Sequence, residues 1–398
     1  MMTVPLRQPV PPLLAVGAHL KNVVAMSQGN EVLLSENLGD LESPAARTAF
    51  QSAIRSLVQG CWEQPSAIVH DLHPNYASTL WAKTAAAGGG VEWTKSLAGL
   101  PLIGAQHHHA HLASALAEND VGKTALGVTW DGTGFGPAGP GDPATIWGGE
   151  FLAGDAAAYR RVAHLRSFPL LGGEAAVREP RRVAVALLWE TWGDKAFEAV
   201  DLEPIANLSD AERRLFRQML RRGLHAPRTT SAGRLFDGIA ALLDLCQRMD
   251  TEAEAAVAVE KAADPDEAGA WPLLVEAGDV PWIVDWQPMV ETLVTELRAG
   301  QSVAVLAARF HNTLVNIIVE IATRADEEIV VLTGGCFLNQ RLRCHAEDKL
   351  RAAGLTVITQ NRVSPGDGGI SLGQIAIGAA ALRGAVSLNR VSLNTAAS

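Results

Sequence analysis

A chain of 398 residues, 48% of them hydrophobic and 37 of them glycine, is long enough to bury two cores and is expected to fold as two lobes. Its formal charge of -10 counts against non-specific nucleic-acid binding, and four scattered cysteines without a Cys-x-x-Cys pair count against a zinc knuckle or dithiol redox site. No apolar run near the roughly 20 residues that span a bilayer stands out, and Met1 to Pro12 lacks the apolar core of a signal peptide, so a cytoplasmic location is expected.

Residues 13–26 read as strand, tight turn and strand, with a further strand at 31–35. Residues 47–58 have apolar positions at helical spacing, and 67–71 look like a short buried strand. The layout starts again at 124–136 and 146–152. The expected domains are a first lobe over 13–123, a second over 124–385 with a mainly helical section at about 179–299, and a tail at 386–398.

Before the second start comes a cluster of His107, His108, His109 and His111, four of the eleven histidines within five positions. If residues 112–118 continue a helix begun there, His107 and His111 stand at i and i+4 and project from one face. Two neutral imidazoles with one or two carboxylates suit a borderline divalent ion such as iron or zinc. A solvated or adventitious histidine cluster is the plainer alternative.

Three glycine-rich stretches follow. Gly132, Gly134 and Gly136 read as a turn at a buried strand end, whose N–H groups could hold phosphate oxygens or serve the turn alone. Gly334 and Gly335 lead from the apolar run 329–333 into a helix, an arrangement that suits a nucleotide or a plain strand-to-helix turn. Asp367 sits in a glycine-framed loop before another helix, as cap or metal ligand.

With Gly17-Ala18-His19-Leu20-Lys21-Asn22, His70-Asp71-Leu72-His73-Pro74-Asn75-Tyr76, Trp147-Gly148-Gly149-Glu150, Arg178-Glu179-Pro180, Gly233-Arg234-Leu235-Phe236-Asp237, Gly334-Gly335-Cys336-Phe337-Leu338-Asn339 and Gly366-Asp367-Gly368-Gly369, the chain resembles a known family. It is similar to the actin-like, sugar-kinase-like ATPases, and within them to the C-terminal carbamoyltransferase module of the HypF hydrogenase-maturation family, over about Leu13 to Leu382. The resemblance implies an α/β, two-lobed fold with duplicated mixed sheets. It implies that His107, His111, Asp131 and Asp367 hold a divalent metal, with magnesium a further candidate alongside the nucleotide. It implies that Gly134, Gly148, Gly149, Gly173, Gly233, Gly334 and Gly335 surround ATP, with Asp237 and Asn339 contacting ribose or phosphate.

The implied reaction passes the carbamoyl group of carbamoyl phosphate, activated with ATP as carbamoyl adenylate, to the C-terminal cysteine thiol of HypE. Cys336 and Cys344 are then expected to be packing residues. His108 is a candidate to hydrogen-bond the carbamoyl oxygen or carry a proton, His109 is expected to face away, and Lys21 is a candidate for an anionic group. A supporting or solvated role is the plainer reading for His108 and Lys21. The acylphosphatase-like, zinc-finger and adenylate-forming domains of full-length relatives have no counterpart here, so a natural short form or an excised fragment is expected. Other readings are small-molecule O-carbamoyl transfer, threonylcarbamoyl transfer to tRNA, which the acidic balance disfavours, and a catalytically silent nucleotide-binding scaffold.

Overall fold

A computed structural model of the chain describes residues 1–138, 145–272, 274–276 and 278–395. The elements run β1 (Met2–Val10), β2 (Leu13–Ala15), β3 (Ala25–Leu34), α1 (Pro44–Gly60), β4 (Ala67–Asp71), α2 (Ala77–Ala86), β5 (Leu102–Ala105), α3 (His107–Glu118), β6 (Ala125–Gly136), β7 (Thr145–Gly154), β8 (Tyr159–Leu165) and β9 (Phe168–Pro169). They continue as α4 (Glu174–Arg178), α5 (Pro180–Trp192), α6 (Glu203–Ala206), α7 (Asp210–Arg222), β10 (Arg228–Thr229), α8 (Ala232–Leu242), α9 (Glu254–Ala262), β11 (Leu274–Val275) and β12 (Trp282–Asp285). The rest are α10 (Gln287–Arg298), α11 (Val303–Ala325), β13 (Ile329–Thr333), α12 (Gln340–Ala352), β14 (Thr356–Thr359) and α13 (Ile370–Thr395).

Two compact units result. One comprises Met1–Thr129, Leu152–Arg160 and Ile358–Ser398, the other Trp130–Phe151 and Arg161–Val357. The chain order alone suggested a second lobe running on to 385, whereas the segment from Ile358 onward groups with the first unit.

The first unit is built on a mixed sheet in the order β1-β3-β2-β4-β5, with β2, β4 and β5 parallel and β3 antiparallel to β1 and β2. Strand alternation sends side chains to two cores. Leu13, Ala15 and Val69 pack with Ala110, Ala113, Ile370 and Ile375 of α3 and α13. Leu14, Val16 and Ile68 pack with Phe50, Ile54 and Leu57 of α1 and Ala82 of α2. Pro44 stands in the first turn of α1, and Ser43 caps it by accepting the Ala46 N–H.

Three expectations are corrected here. The chain before residue 13 is part of the fold, because β1 pairs with β3 and Val4 is fully buried. The second strand expected within 13–26 and the strand expected at 31–35 are one strand, β3. The turn before it is a loop over 16–24, in which the Asn22 amide donates to the Val16 and Ala18 carbonyls at 2.9 and 2.6 Å.

The second sheet runs β11-β12-β8-β7-β6-β13-β14, with β9 and β10 attached through β7. The section 179–299 holds helices α5 to α10 but also supplies β10, β11 and β12 to this sheet, β12 lying parallel to β8. Among the described residues one helix, α11, is long and apolar enough to cross a membrane, against the expectation of no such run; two-thirds of its most apolar window is buried in the structure, with His311, Asn312 and Thr313 buried at mid-helix.

Candidate active site

The histidine cluster opens α3. Gln106 is its N-cap, and the Gln106 side-chain oxygen accepts the His109 N–H at 2.8 Å. His107 and His111, one turn apart, bring their ring centroids to 5.0 Å. Both are fully buried, so this is not a solvated cluster. Asp367 arrives from the 3-10 turn ahead of α13, with Oδ1 3.6 Å from His107 Nε2 and 3.9 Å from His111 Nε2. That meeting depends on Gly373, since a Cβ there would lie 1.8 Å from the Ala110 carbonyl oxygen of α3.

Behind the pair stands Asp71, at the end of β4. Its Oδ2 lies 2.9 Å from His107 Nδ1, and its Oδ1 accepts the His73 N–H at 2.8 Å. A carboxylate on one imidazole nitrogen turns the other nitrogen toward a cation. The sequence signal for this residue is a carboxylate closing an apolar strand. Nearby, His19 and His73 each stack with the Tyr76 ring, with centroids at 5.2 and 4.0 Å. Burial lowers the pKa of both histidines.

The other histidines separate by role. His108 is fully buried, its Nδ1 3.4 Å from the Gln106 amide. His109 is turned to the Asp155 carbonyl, with Nε2 at 2.6 Å, and tilts against Tyr159. Lys21, held at a positive φ of 42° with its N–H on Asp40 Oδ1, lines a pocket with Arg362 and Gly368.

In the second unit, glycines far apart in sequence converge on the backbone of Trp130 to Gly132. A Cβ at Gly148 would lie 2.6 Å from the Asp131 carbonyl oxygen, one at Gly233 2.9 Å from Gly132 Cα, and one at Gly334 2.2 Å from the Trp130 carbonyl oxygen. Gly149 would meet the Thr230 carbonyl at 2.3 Å. The Gly335 N–H donates to Asp131 Oδ1 at 3.0 Å, and Ser231 Oγ donates to the Asp131 and Gly132 carbonyls at 2.8 Å each. Close backbone approach thus accounts for these glycines before any ligand is considered. Gly173 differs, since a Cβ there meets nothing within 4 Å and only its φ of 59° calls for glycine.

Gly132, Gly134 and Gly136 are not a turn. They lie within β6, which runs on to Gly136 between β7 and β13. Gly136 makes room for the Trp147 ring, whose Cδ1 would be 2.1 Å from a Cβ. Glu150, fully buried, takes Arg161 at 2.5 Å and the Thr230 hydroxyl.

Asp237 is buried and paired with Arg234 at 2.5 Å; burial outweighs that cation and pushes the carboxyl up to about 6. Asn339 caps α12, its Oδ1 accepting the Leu342 N–H at 2.8 Å and its Nδ2 lying 2.9 Å from His311 Nε2. His311 Nδ1 donates in turn to the Ala307 carbonyl at 2.8 Å, and burial lowers its pKa to about 4. No sequence signal marked His311, an isolated histidine in an apolar helix. Cys336 is largely shielded and its thiol pKa is driven well up by burial, but Cys344 is exposed, so the packing role expected for it is not found.

The family model "HypF Kae1-like domain" matches residues 8–118, and "Carbamoyltransferase, Kae1-like Domain, second subdomain" matches 127–374. Carbamoyltransferase HypF of Synechocystis sp. is 38% identical over 378 residues, covering 91% of this chain but 46% of that protein. A Carbamoyltransferase HypF homolog of Cupriavidus necator is 38% identical over 373 residues, covering 91% of this chain and 90% of that protein. The chain therefore spans about half the length of the HypF protein from Synechocystis and nearly all of the shorter homolog. A full-length HypF solved in a phosphate- and nucleotide-bound form superposes with a TM-score of 0.84 at 29% identity, over 96% of this chain and 48% of that one. T. kodakarensis HypF gives 0.83 at 25% identity, over 96% and 49%. The fold is the expected α/β fold of actin-like type.

Proposed function

Because the chain belongs to the HypF Kae1-like carbamoyltransferase family, we propose that it is a carbamoyl-transfer module of hydrogenase maturation, moving the carbamoyl group from carbamoyl adenylate to the C-terminal cysteine thiol of HypE. Carbamoyl phosphate and ATP are the sources of that adenylate. The observation that carries the reading is the meeting of His107, His111 and Asp367 with Asp71 behind His107.

The donor set fits a metal. Two fully buried imidazoles and a carboxylate that is 13% exposed, one imidazole oriented by a second carboxylate, suit a divalent ion of the iron or zinc type. Asp131, which the resemblance implies as a further ligand, belongs to the second unit, where its Oδ1 accepts the Gly335 N–H. A bound ion would supply Lewis acidity toward the mixed anhydride.

In the transfer the acceptor thiolate, its proton given up to water, forms a C–S bond to the carbamoyl carbon. The C–O bond to the phosphate breaks, and AMP leaves with that electron pair. The protein needs no nucleophile of its own, and the buried Cys336 thiol, with its raised pKa, is a poor one. His108 is assigned to donate a hydrogen bond to the carbamoyl oxygen as that oxygen gains charge. Gly134, Gly148, Gly149, Gly173, Gly233, Gly334 and Gly335 are assigned to backbone that approaches the nucleotide, with Asp237 and Asn339 as its polar contacts.

The test is intact mass spectrometry of HypE after incubation with this protein, magnesium, ATP and carbamoyl phosphate, or with preformed carbamoyl adenylate. A carbamoyl adduct of HypE in the second mixture supports transfer. An adduct in neither, with the nucleotide bound, would leave the scaffold reading in its place.

A further inference from the structure

At the start of α12, a few residues beyond Gly334 and Gly335, the backbone donors that a helix leaves open are already taken by the protein. Glu260 of α9 accepts the Gln340 and Arg341 N–H groups at 2.7 and 3.2 Å, and Asn339 Oδ1 accepts the Leu342 N–H at 2.8 Å. An oxygen arriving at this corner therefore cannot be met by those N–H groups. What the corner still holds is the nitrogen end of the Asn339 amide. Its Nδ2 lies 2.9 Å from His311 Nε2 and carries a second hydrogen.

The His311 ring admits only one arrangement of that amide. Its Nδ1 lies 2.8 Å from the Ala307 carbonyl oxygen, an acceptor, so Nδ1 carries the proton and Nε2 presents a lone pair. Burial keeps the ring neutral, and Phe236 and Phe310 pack against it with centroids at 5.4 and 5.8 Å. Turned over, the amide would set its NH2 against the Leu342 N–H and its oxygen against the Nε2 lone pair, two repulsive contacts in a buried place. All of these residues lie in the second unit.

We infer that His311 is a positioning residue for the nucleotide: it holds the Asn339 side chain so that a hydrogen on Nδ2 is offered to an acceptor oxygen of ATP, on its ribose or its phosphates. The inference rests on the assignment of Asn339 as a nucleotide contact made above. A helix cap alone does not call for this arrangement, since serine or aspartate caps as well as asparagine does, without an amide nitrogen and without a buried histidine behind it.

The experiment is isothermal titration with magnesium ATP and with adenosine, on the unaltered protein, Asn339→Ser, His311→Asn, His311→Gln and the double variant of His311→Asn with Asn339→Ser, each first checked for a cooperative melt. Serine keeps the cap and lacks the amide. A glutamine amide reaches the place of Nε2, whereas an asparagine amide reaches only that of Nδ1. Asn339→Ser and His311→Asn are each expected to weaken ATP binding about five-fold or more, and His311→Gln to stay within about two-fold of the unaltered protein. The double variant should bind no more weakly than Asn339→Ser alone, because His311 acts through Asn339. Weakening that persists with adenosine puts the oxygen on the ribose, and adenosine bound alike by every form puts it on the phosphates; either upholds the inference. Unchanged ATP affinity in His311→Asn, or losses that multiply in the double variant, overturns it. If His311→Asn gives no cooperative melt, His311→Leu takes its place with the same expectations. ATP bound equally by the unaltered protein and Asn339→Ser rejects the inference and leaves nucleotide binding standing; no ATP binding by the unaltered protein ends the nucleotide reading, and the inference with it.

Discussion

Asp71→Asn is the sharpest probe of the site, because it changes the orientation of a ligand without removing one. Asp71 is shut off from water, its Oδ2 2.9 Å from His107 Nδ1 and its Oδ1 holding the His73 N–H at 2.8 Å. An asparagine of the same shape keeps only one of these contacts. If its oxygen stays on His73, its NH2 faces His107 Nδ1, and the ring must move its proton to Nε2, the atom 3.6 Å from Asp367 Oδ1 that a cation would use. If the amide flips, the His73 N–H loses its acceptor. Loss of such a supporting carboxylate costs about 10- to 100-fold in metal affinity, or about 1.4 to 2.7 kcal/mol. No cavity opens, so the melting temperature should move little. Isothermal titration with zinc, and with ferrous iron under anaerobic conditions, gives the affinity; circular dichroism gives the melt. Affinity within two-fold of the unaltered protein, when His111→Asn abolishes binding, would refute the orienting role.

Other outcomes follow from the same geometry. His111→Asn and Asp367→Asn should each abolish carbamoyl transfer and metal binding while keeping a cooperative thermal transition; transfer at the unaltered rate would remove the metal from the mechanism. Gly373→Ala forces a methyl into the Ala110 carbonyl at 1.8 Å and should cost about 3 kcal/mol or more, read as a lower midpoint in denaturant; an unchanged midpoint would mean α13 seats on α3 differently. His311 is held neutral, with its pKa lowered from 6.5 to about 4. A depressed folded-state value means that its contribution is present above pH 6.5 and is lost as the pH falls through about 4, by at most about 3 kcal/mol. Unfolding free energies of the unaltered protein should therefore fall more steeply between pH 6.5 and 4 than those of His311→Gln; parallel curves would contradict the buried neutral ring.

The histidine helix was legible because its signal is local. Spacing put His107 and His111 on one face, and α3 begins at His107. Asp367 could be nominated from its glycine frame, but its partner was unreadable, since the 3.6 Å approach to His107 depends on α13 passing over α3 at Gly373. The glycines misled in a specific way. A glycine in a strand interior resembles a turn signal, yet Gly132, Gly134 and Gly136 extend β6, and Gly148, Gly233 and Gly334 serve backbone contacts with residues far away in sequence, as Gly334 does with Trp130. Asp71 and His311 went unassigned for the same reason: each acts through a neighbour distant in sequence, His107 and Asn339 respectively. Strand β1 was missed because it pairs across a sheet edge with only Val4 fully buried, leaving almost no periodic signal.

The candidate metal cluster is also tied to how the chain must fold. His107 and His111 are made early, Asp367 very late, and the first unit is closed by the segment from Ile358 onward. Gln374 of α13 accepts the Gly17 N–H at 2.8 Å, while Glu118 at the end of α3 holds the 361–363 backbone, so the returning segment is fastened at both the first loop and the histidine helix. Ile370, Leu372 and Ile375 fill the core face that Leu13, Ala15 and Val69 present. A chain ending at Val357 would leave that face bare and His107 without its Asp367 contact, however well α3 formed. Contacts between residues this far apart are slow to close because the loop entropy is lost before they form. The cation site should consequently appear only with completion of the first unit, which makes metal binding a report on native tertiary structure rather than on the histidine-rich helix alone.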